Sequence, residues 1–423
     1  MFANEEIAPA ERRRYRNPAS SVPLCWFAAL ALGGLTPGAA SAQGPGPGRE
    51  RVRNVVYVES NDPVGNAIFA FRRHDDGSLT PLAGSPFPAG GTGITPTFAL
   101  GPFNSDQNII IDSSYTLLFA VNSGSDGVAV FWINGNGSLS PVNGSPFPSG
   151  GSNPVSVGLS GDDVLCVVNQ DQDPGRPGLF LPDYASFRVT KQGRLIPIPT
   201  FFVDAGASPS QALVSPDGGL MVRAEFLGGL LRTFRIAQNG RLVPGVAQPL
   251  PPAEFADTGA PALPLGLAVH PTKRLLYVDF VTINRIGIYR YNQAGDLQYL
   301  RSVPDSGKAP CWALVNKAGT RLYVSNTADS SVSVFDLALD PTEPIEIQKV
   351  SLKTTGSCFE FALDSAEKFL HVVTQQASPT QNVTANGLNV LAVGPDGKLT
   401  EVPSSPTLLP VPNLVRPQGV AAL

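Results

Sequence analysis

Residues 77–91 read GSLTPLAGSPFPAGG and residues 137–151 read GSLSPVNGSPFPSGG. A chain that writes so long a phrase twice is built from a recurring unit, and the unit constrains the fold before any local assignment is made. A second phrase recurs with it: LLFAVNSGSDGVAVFWINGNGSL from 117, LLYVDFVTINRIGIYRYNQAGDL from 275 and RLYVSNTADSSVSVFDLAL from 321. Each copy joins two short alternating or β-branched runs through a small polar loop, the pattern of a hairpin. Upstream lies a small-residue strand such as PVSVGLS, PSQALVS, PLGLAVH or PCWALVN. Downstream, Asp76-Gly77, Asn136-Gly137, Asn239-Gly240 and Asp396-Gly397 supply a glycine that tolerates the positive φ of a tight turn.

The unit therefore has four strands. Its LYV-type strand begins near Val55, Leu117, Val164, Leu220, Leu275, Leu322 and Phe369, which gives seven copies. A spacing of roughly 45 to 60 residues is the scale of propeller blades, whose sheets bury little alone and cover one another's faces when packed radially. The expected fold is all-β: a seven-bladed β-propeller over residues 54–423, with four antiparallel strands per blade. The first unit starts at Asn54 without an inner strand, and the chain finishes RPQGVAAL. Residues 417–423 are thus expected to complete the first blade and close the ring, which removes an open sheet edge.

The 43 glycines and 41 prolines suit so turn-rich a fold. A net charge of -4 with only 15% charged residues leaves no basic face, which excludes a nucleic-acid partner. The first residues differ in kind: Arg12-Arg13-Arg14-Tyr15-Arg16, then VPLCWFAALALGGL, then Ala40-Ser41-Ala42. That is the order of a secretory signal, too short in its apolar run for a membrane span. Cleavage after Ala42 is expected, giving a signal peptide 1–42, a flexible tether 43–53 and a secreted or periplasmic monomer with no membrane span. Beyond Cys25 of the leader, Cys166, Cys311 and Cys358 show no CxxC spacing, so neither a zinc site nor a disulfide framework is signalled. One bridge, Cys311 to Cys358, competes with two packed thiols.

The phrases SPDGGLMV, HPTKRLLYV, NKAGTRLYVSNTADSSVSVF and DGSLTPLAGSPF resemble those of the seven-bladed lactonase-type propellers, which include 6-phosphogluconolactonase and the carboxymuconate-cyclising enzymes. The resemblance covers residues 54–423 and implies a cleft on one propeller face carrying histidine, arginine and glutamate. Such groups would act as general acid or base beside cations that hold a carboxylate and an oxyanion. Most of that pattern is absent. Val155 follows Pro154 where the family has His, Pro209-Ser210-Gln211 replaces Pro-Arg-His, and Val281 stands at the arginine position with Arg285 displaced. Glu225 matches the family's glutamate and is the one catalytic candidate.

Propeller function usually lives in loops at one end of the channel. Here the strand-two-to-strand-three loops and the links between blades emerge on the same face. Ligand-binding candidates there are Glu59, Asn122, Asn169, Asp279, Lys308, Asn326 and Arg416, with Asp171 and Asp173 nearby. The competing reading is that Asn, Asp and Ser merely turn these loops. His74 reads as a solvated outer-strand residue, His270 as a turn cap and His371 as strand packing. Long loops at 169–185 and 375–387 read as lids or partner contacts, and the first lacks the spacing of a calcium loop. No cofactor or metal is implied. The sequence thus points to binding, with hydrolysis as a further step, of a small lactone or sugar acid at one channel end. The alternative is a non-catalytic propeller scaffold for a protein or glycan.

Overall fold

The structure is a computed structural model that describes residues 52–94, 107–161, 163–172, 182–203, 208–251 and 262–423. The expected signal peptide, nearly all of the tether, and most of the 169–185 loop with Asp173 lie outside these residues. The described strands form seven antiparallel sheets, each with a four-strand path, in chain order round a ring. In blade six, for example, Pro310–Val315 is innermost, followed by Arg321–Asn326, Ser331–Asp336 and Ile345–Ser351. The second strand is buried along its whole length in blades one, two, three, four, five and seven, because both of its faces pack on neighbouring sheets.

The ring closes as the chain ends predict. Gln418–Ala422 pairs with Val55–Glu59, in the register Val56 to Ala422, Tyr57 to Ala421 and Val58 to Val420. Beside this seam the Arg73 guanidinium donates to Asp364 of blade seven at 2.9 Å, with both side chains almost fully buried. It also stands 4.3 Å over the Phe369 ring. An ion pair so enclosed is costly to break by removing one partner.

The opening phrase now has a structural meaning. GSLSP is a hairpin turn and a three-residue outer strand, Leu139–Pro141. The chain then leaves the sheet and rejoins strand three as Phe147–Pro148, beyond a cis Ser145-Pro146 bond. Val142 N–H donates to the Val130 carbonyl, and the Ser145 hydroxyl accepts the Val130 N–H at 2.8 Å. Ser85 with Ala70 and Ser405 with Val390 repeat the arrangement at 2.9 and 3.0 Å. The serine replaces the ladder partner that the break removes, so no buried donor is stranded.

The turn glycine couples neighbouring blades. Gly137 has φ 89°, and a Cβ there would come within 2.7 Å of Val55 in blade one. Alongside it, Tyr57 of blade one donates its hydroxyl to the Gly137 carbonyl at 2.8 Å. Gly77, Gly193, Gly240, Gly295 and Gly397 make the same approach to the preceding blade, Gly77 reaching Phe369 across the closure. Gly137→Ala is therefore expected to lower stability in urea denaturation by about 1–3 kcal/mol, from the left-handed φ and the clash. Gly65→Ala, with open space around it, should leave the midpoint essentially unchanged.

Candidate functional site

The candidates near the ends of the second strands sit at the seams between blades. Asn122, Asn169, Glu225 and Asn326 each close their strand, while Glu59 and Asp279 occupy the position facing the following blade. All six are buried, as is Arg416; Lys308 is exposed. Asn122 Nδ2 donates to the Ala89 carbonyl at 3.0 Å, and Asn169 Nδ2 to Asp183 Oδ1 at 2.7 Å. Asn326 Nδ2 donates to Ser333 Oγ at 2.9 Å, and that hydroxyl donates to Asp305 at 2.6 Å. Each amide thus ties its strand to the loop or strand beside it. The structure spreads the candidates over six blades and does not gather them round one pocket.

Burial controls the acids in these networks. Glu59 accepts one bond, from Asn66 Nδ2 at 2.7 Å, and its Oε2 has no partner among the described residues. Desolvation holds its pKa well above the usual carboxylate range. Asp183 and Asp305 are pushed up to about 6 by the same cause, against the opposing hydrogen bonds from Asn169 and Ser333.

Glu225 belongs to an ion cluster. Arg223 and Glu225 lie two apart on one strand and so share a face, and Arg232 is the direct cross-strand neighbour of Arg223. Glu225 Oε1 accepts from Arg223 Nη2 and, at 3.3 Å, from Arg232 Nε. The Arg223 guanidinium stands 4.0 Å over the Tyr184 ring of blade three, and burial lowers its pKa to about 9. At the start of the inner strands Leu265, Cys311 and Phe359 pack with Phe226 and Ile94 in one apolar cluster. Arg416 stands 5.2 Å over Phe359, with its pKa brought down to about 10 by desolvation.

The remaining groups behave largely as their sequence context implies. His270 Nδ1 accepts from the N–H groups of Thr272 and Lys273, and its Nε2 meets the Gly319 carbonyl at 3.1 Å. It caps the turn that Asp112 caps in blade two and Asn316 in blade six. His74 is exposed and His371 is buried, the latter with its pKa lowered to about 3 by burial and Arg73. Cys166, Cys311 and Cys358 are buried thiols. Arg285, displaced from the family position, is spent on Ser302 of the outer strand. The 375–387 loop is knit to its surroundings: Gln376 Nε2 donates to the Gln381 carbonyl and to Asn413.

The channel itself holds a cavity of about 400 Å³ at the opposite end, where the strand-one-to-strand-two turns lie. Its walls are largely the apolar later residues of the inner strands, and its polar lining includes Gln107 and Gln211, which precede Ile109–Ile111 and Leu213–Val214, and Glu360, at the middle of Ser357–Leu363. None of the sequence candidates lines it. Of these three, Gln211 stands where the family has His, while Gln107 and Glu360 were not singled out, Glu360 because its segment reads as an inner strand. The available signal was a Gln or Glu interrupting an otherwise small and apolar strand.

The raised acids set a pH dependence. An acid whose folded pKa exceeds its unfolded value stabilises the fold most below the unfolded pKa and loses that contribution as pH rises through the folded one. For Asp305 the window runs from about 4 to about 6. Asp305→Asn, which keeps an acceptor for Ser333, should flatten the stability change across that window by about 1–3 kcal/mol in denaturation titrations.

The family model for the seven-bladed lactonase β-propeller matches residues 251–383, which span blades five and six and enter blade seven. A solved Bacteroides uniformis protein put forward as a 6-phosphogluconolactonase is 15% identical, with a TM-score of 0.65 over 87% of this chain and 98% of its own. The periplasmic gluconolactonase PpgL of Pseudomonas aeruginosa is 17% identical, with a TM-score of 0.63 over 87% and 98%. A Lactobacillus plantarum protein is 17% identical, at 0.63 over 86% and 99%. Such low identity carries the fold alone. No curated protein matches the chain in sequence. By its sheet topology the chain is a seven-bladed β-propeller, and over residues 251–383 it matches the lactonase-type propeller model.

Proposed function

We propose that the protein is an exported propeller, periplasmic or secreted, that binds a small lactone or sugar acid where the inner strands begin. The match of residues 251–383 to the lactonase model carries this reading. Two structural neighbours named as gluconolactonase or phosphogluconolactonase support the sugar-lactone class. The residue best suited to hold a carboxylate there is Arg416, a largely desolvated guanidinium beside an aromatic ring. Low dielectric strengthens a charge-assisted hydrogen bond to such a group.

Binding is better supported than hydrolysis. Opening a lactone needs a base for the attacking water and donors for the oxyanion. The Oε1 of Glu225 is committed to two guanidiniums, so base work would first break a buried ion pair. That cluster also favours the second reading, a non-catalytic propeller whose ligand is a protein or glycan.

Calorimetry with gluconate and a hydrolysis panel of sugar lactones test the proposal. Saturable gluconate binding is expected, weakened about ten- to hundredfold by Arg416→Gln, the worth of a charge-assisted hydrogen bond. Lactone turnover abolished by Glu225→Gln would establish the hydrolase. Turnover insensitive to that change would remove Glu225 from the mechanism. Neither binding nor turnover would overturn the lactone reading in favour of the scaffold.

A further inference from the structure

We infer that the hollow between the outer strand of blade three and the hairpin turn of blade four is a binding site for a small free amphiphile, with an aliphatic body and an anionic head. It lies on the outer edge of the ring and is independent of the lactone reading.

A break in the repeat builds it. In blade two the phrase GSLSPVNGSPFP folds back onto its own sheet, and Arg194, next after the turn glycine of blade three, covers it. That guanidinium stands 5.9 Å from the centre of the Phe147 ring, and its Nη1 donates to the Asn143 carbonyl at 3.2 Å. Blade three has no such phrase; its fourth strand runs from Leu195 to Val203. Arg241 follows the turn glycine of blade four as Arg194 follows that of blade three, but it meets Ile196, Pro197, Ile198 and Pro199 in place of the ring. The hollow left between them measures about 530 Å³, within the range of small-molecule sites. Its two walls are fixed to each other, because Gly240, at φ 83°, presses the turn onto Ile198.

The lining decides the ligand. Its floor is apolar, and Ile196 remains 47% exposed, so an aliphatic body gains by covering it. Pro197 and Pro199 carry no N–H, which disfavours the addition of a partner strand to this edge. The other lining residues are Arg188, Asn239 and Arg241. Asn239 Oδ1 already accepts from the Arg241 N–H at 3.1 Å. Arg188 is paired with Asp163, whereas Arg241 has no carboxylate partner among the described residues, and no aspartate or glutamate among them lines the hollow. The wider surface has the same sign: residues 186–203 carry Arg188, Lys191 and Arg194 and residues 230–249 carry Arg232, Arg235 and Arg241, with no acid in either stretch, on a chain of net charge -4. An ammonium head would meet like charge there, whereas a carboxylate brings acceptors to a guanidinium that stays protonated.

Calorimetry with octanoate, octylamine and acetate on the full chain tests the site without needing any variant to fold. Octanoate should bind, octylamine should bind about tenfold or more weakly, and acetate, which has no body to cover the floor, should show no saturable binding. Saturating gluconate should leave the octanoate titration unchanged. Arg241→Gln should weaken octanoate about three- to tenfold, the effect of a charged hydrogen bond at a partly exposed site. Ile196→Glu, which places a carboxylate at the floor, should abolish octanoate binding; both positions are exposed, so an unchanged melting temperature is the check that the fold is kept. Equal affinity for octanoate and octylamine, or octanoate binding that survives both substitutions, would overturn the proposal. So would failure of octanoate to bind while vesicles of phosphatidylglycerol do, since the surface would then serve a membrane.

Discussion

The ring depends on one contact repeated from blade to blade: a hairpin turn whose glycine has no side chain, pressed against the second strand of the blade before it. Gly137 lies on Val55, Gly240 on Val164 and Ile198, and Gly397 on Arg321. Only a residue without Cβ allows this approach, and only a residue at ease with positive φ makes this turn. Both requirements fall on the same atom, which is why the glycine recurs where the rest of the phrase drifts. In blade six the turn has Pro341 instead, and the coupling survives through the Tyr277 hydroxyl, which donates to the Pro341 carbonyl at 2.8 Å.

Because each blade keys into the last, a ring left open would expose both a sheet edge and an unfilled turn socket. The C-terminal strand removes the edge, and Gly77 fills the socket on blade seven. The buried Arg73–Asp364 pair lies at the same seam. Buried ion pairs contribute little net stability but penalise alternative partners strongly. Its placement at the one seam between non-consecutive blades is consistent with fixing which sheets meet.

How far the sequence spoke depended on whether a feature was local. Turn chemistry is local, so the hairpin glycines, the capping His270 and the closing strand were legible from spacing alone. Radial depth is not. The polar residues that end the second strands have the composition of a binding rim, yet Asn122 donates to the Ala89 carbonyl, Asn169 to the Asp183 carboxylate and Asn326 to the Ser333 hydroxyl. One signal was present and unused: Arg223 and Glu225, two apart on a strand, must share a face, so their pairing follows from period two. The partner ring of Tyr184, thirty-nine positions upstream, follows from nothing local.

The two ends of the channel pose different physical problems, and the residues divide accordingly. Where the inner strands begin, a guanidinium sits at an aromatic ring; where they end, apolar residues such as Leu314, Leu363 and Val420 line the channel cavity. In a fold whose strands are committed to packing, chemistry can be added only where a strand leaves its sheet or where its edge faces the axis. The seam positions are occupied by networks that hold blades together, and Glu225 has been drawn into one of them. That leaves the axis as the surface free to vary. Even there Gln211 meets a structural demand, since its amide pairs with the Leu267 N–H and carbonyl, groups that a valine or leucine at 211 would leave without that partner.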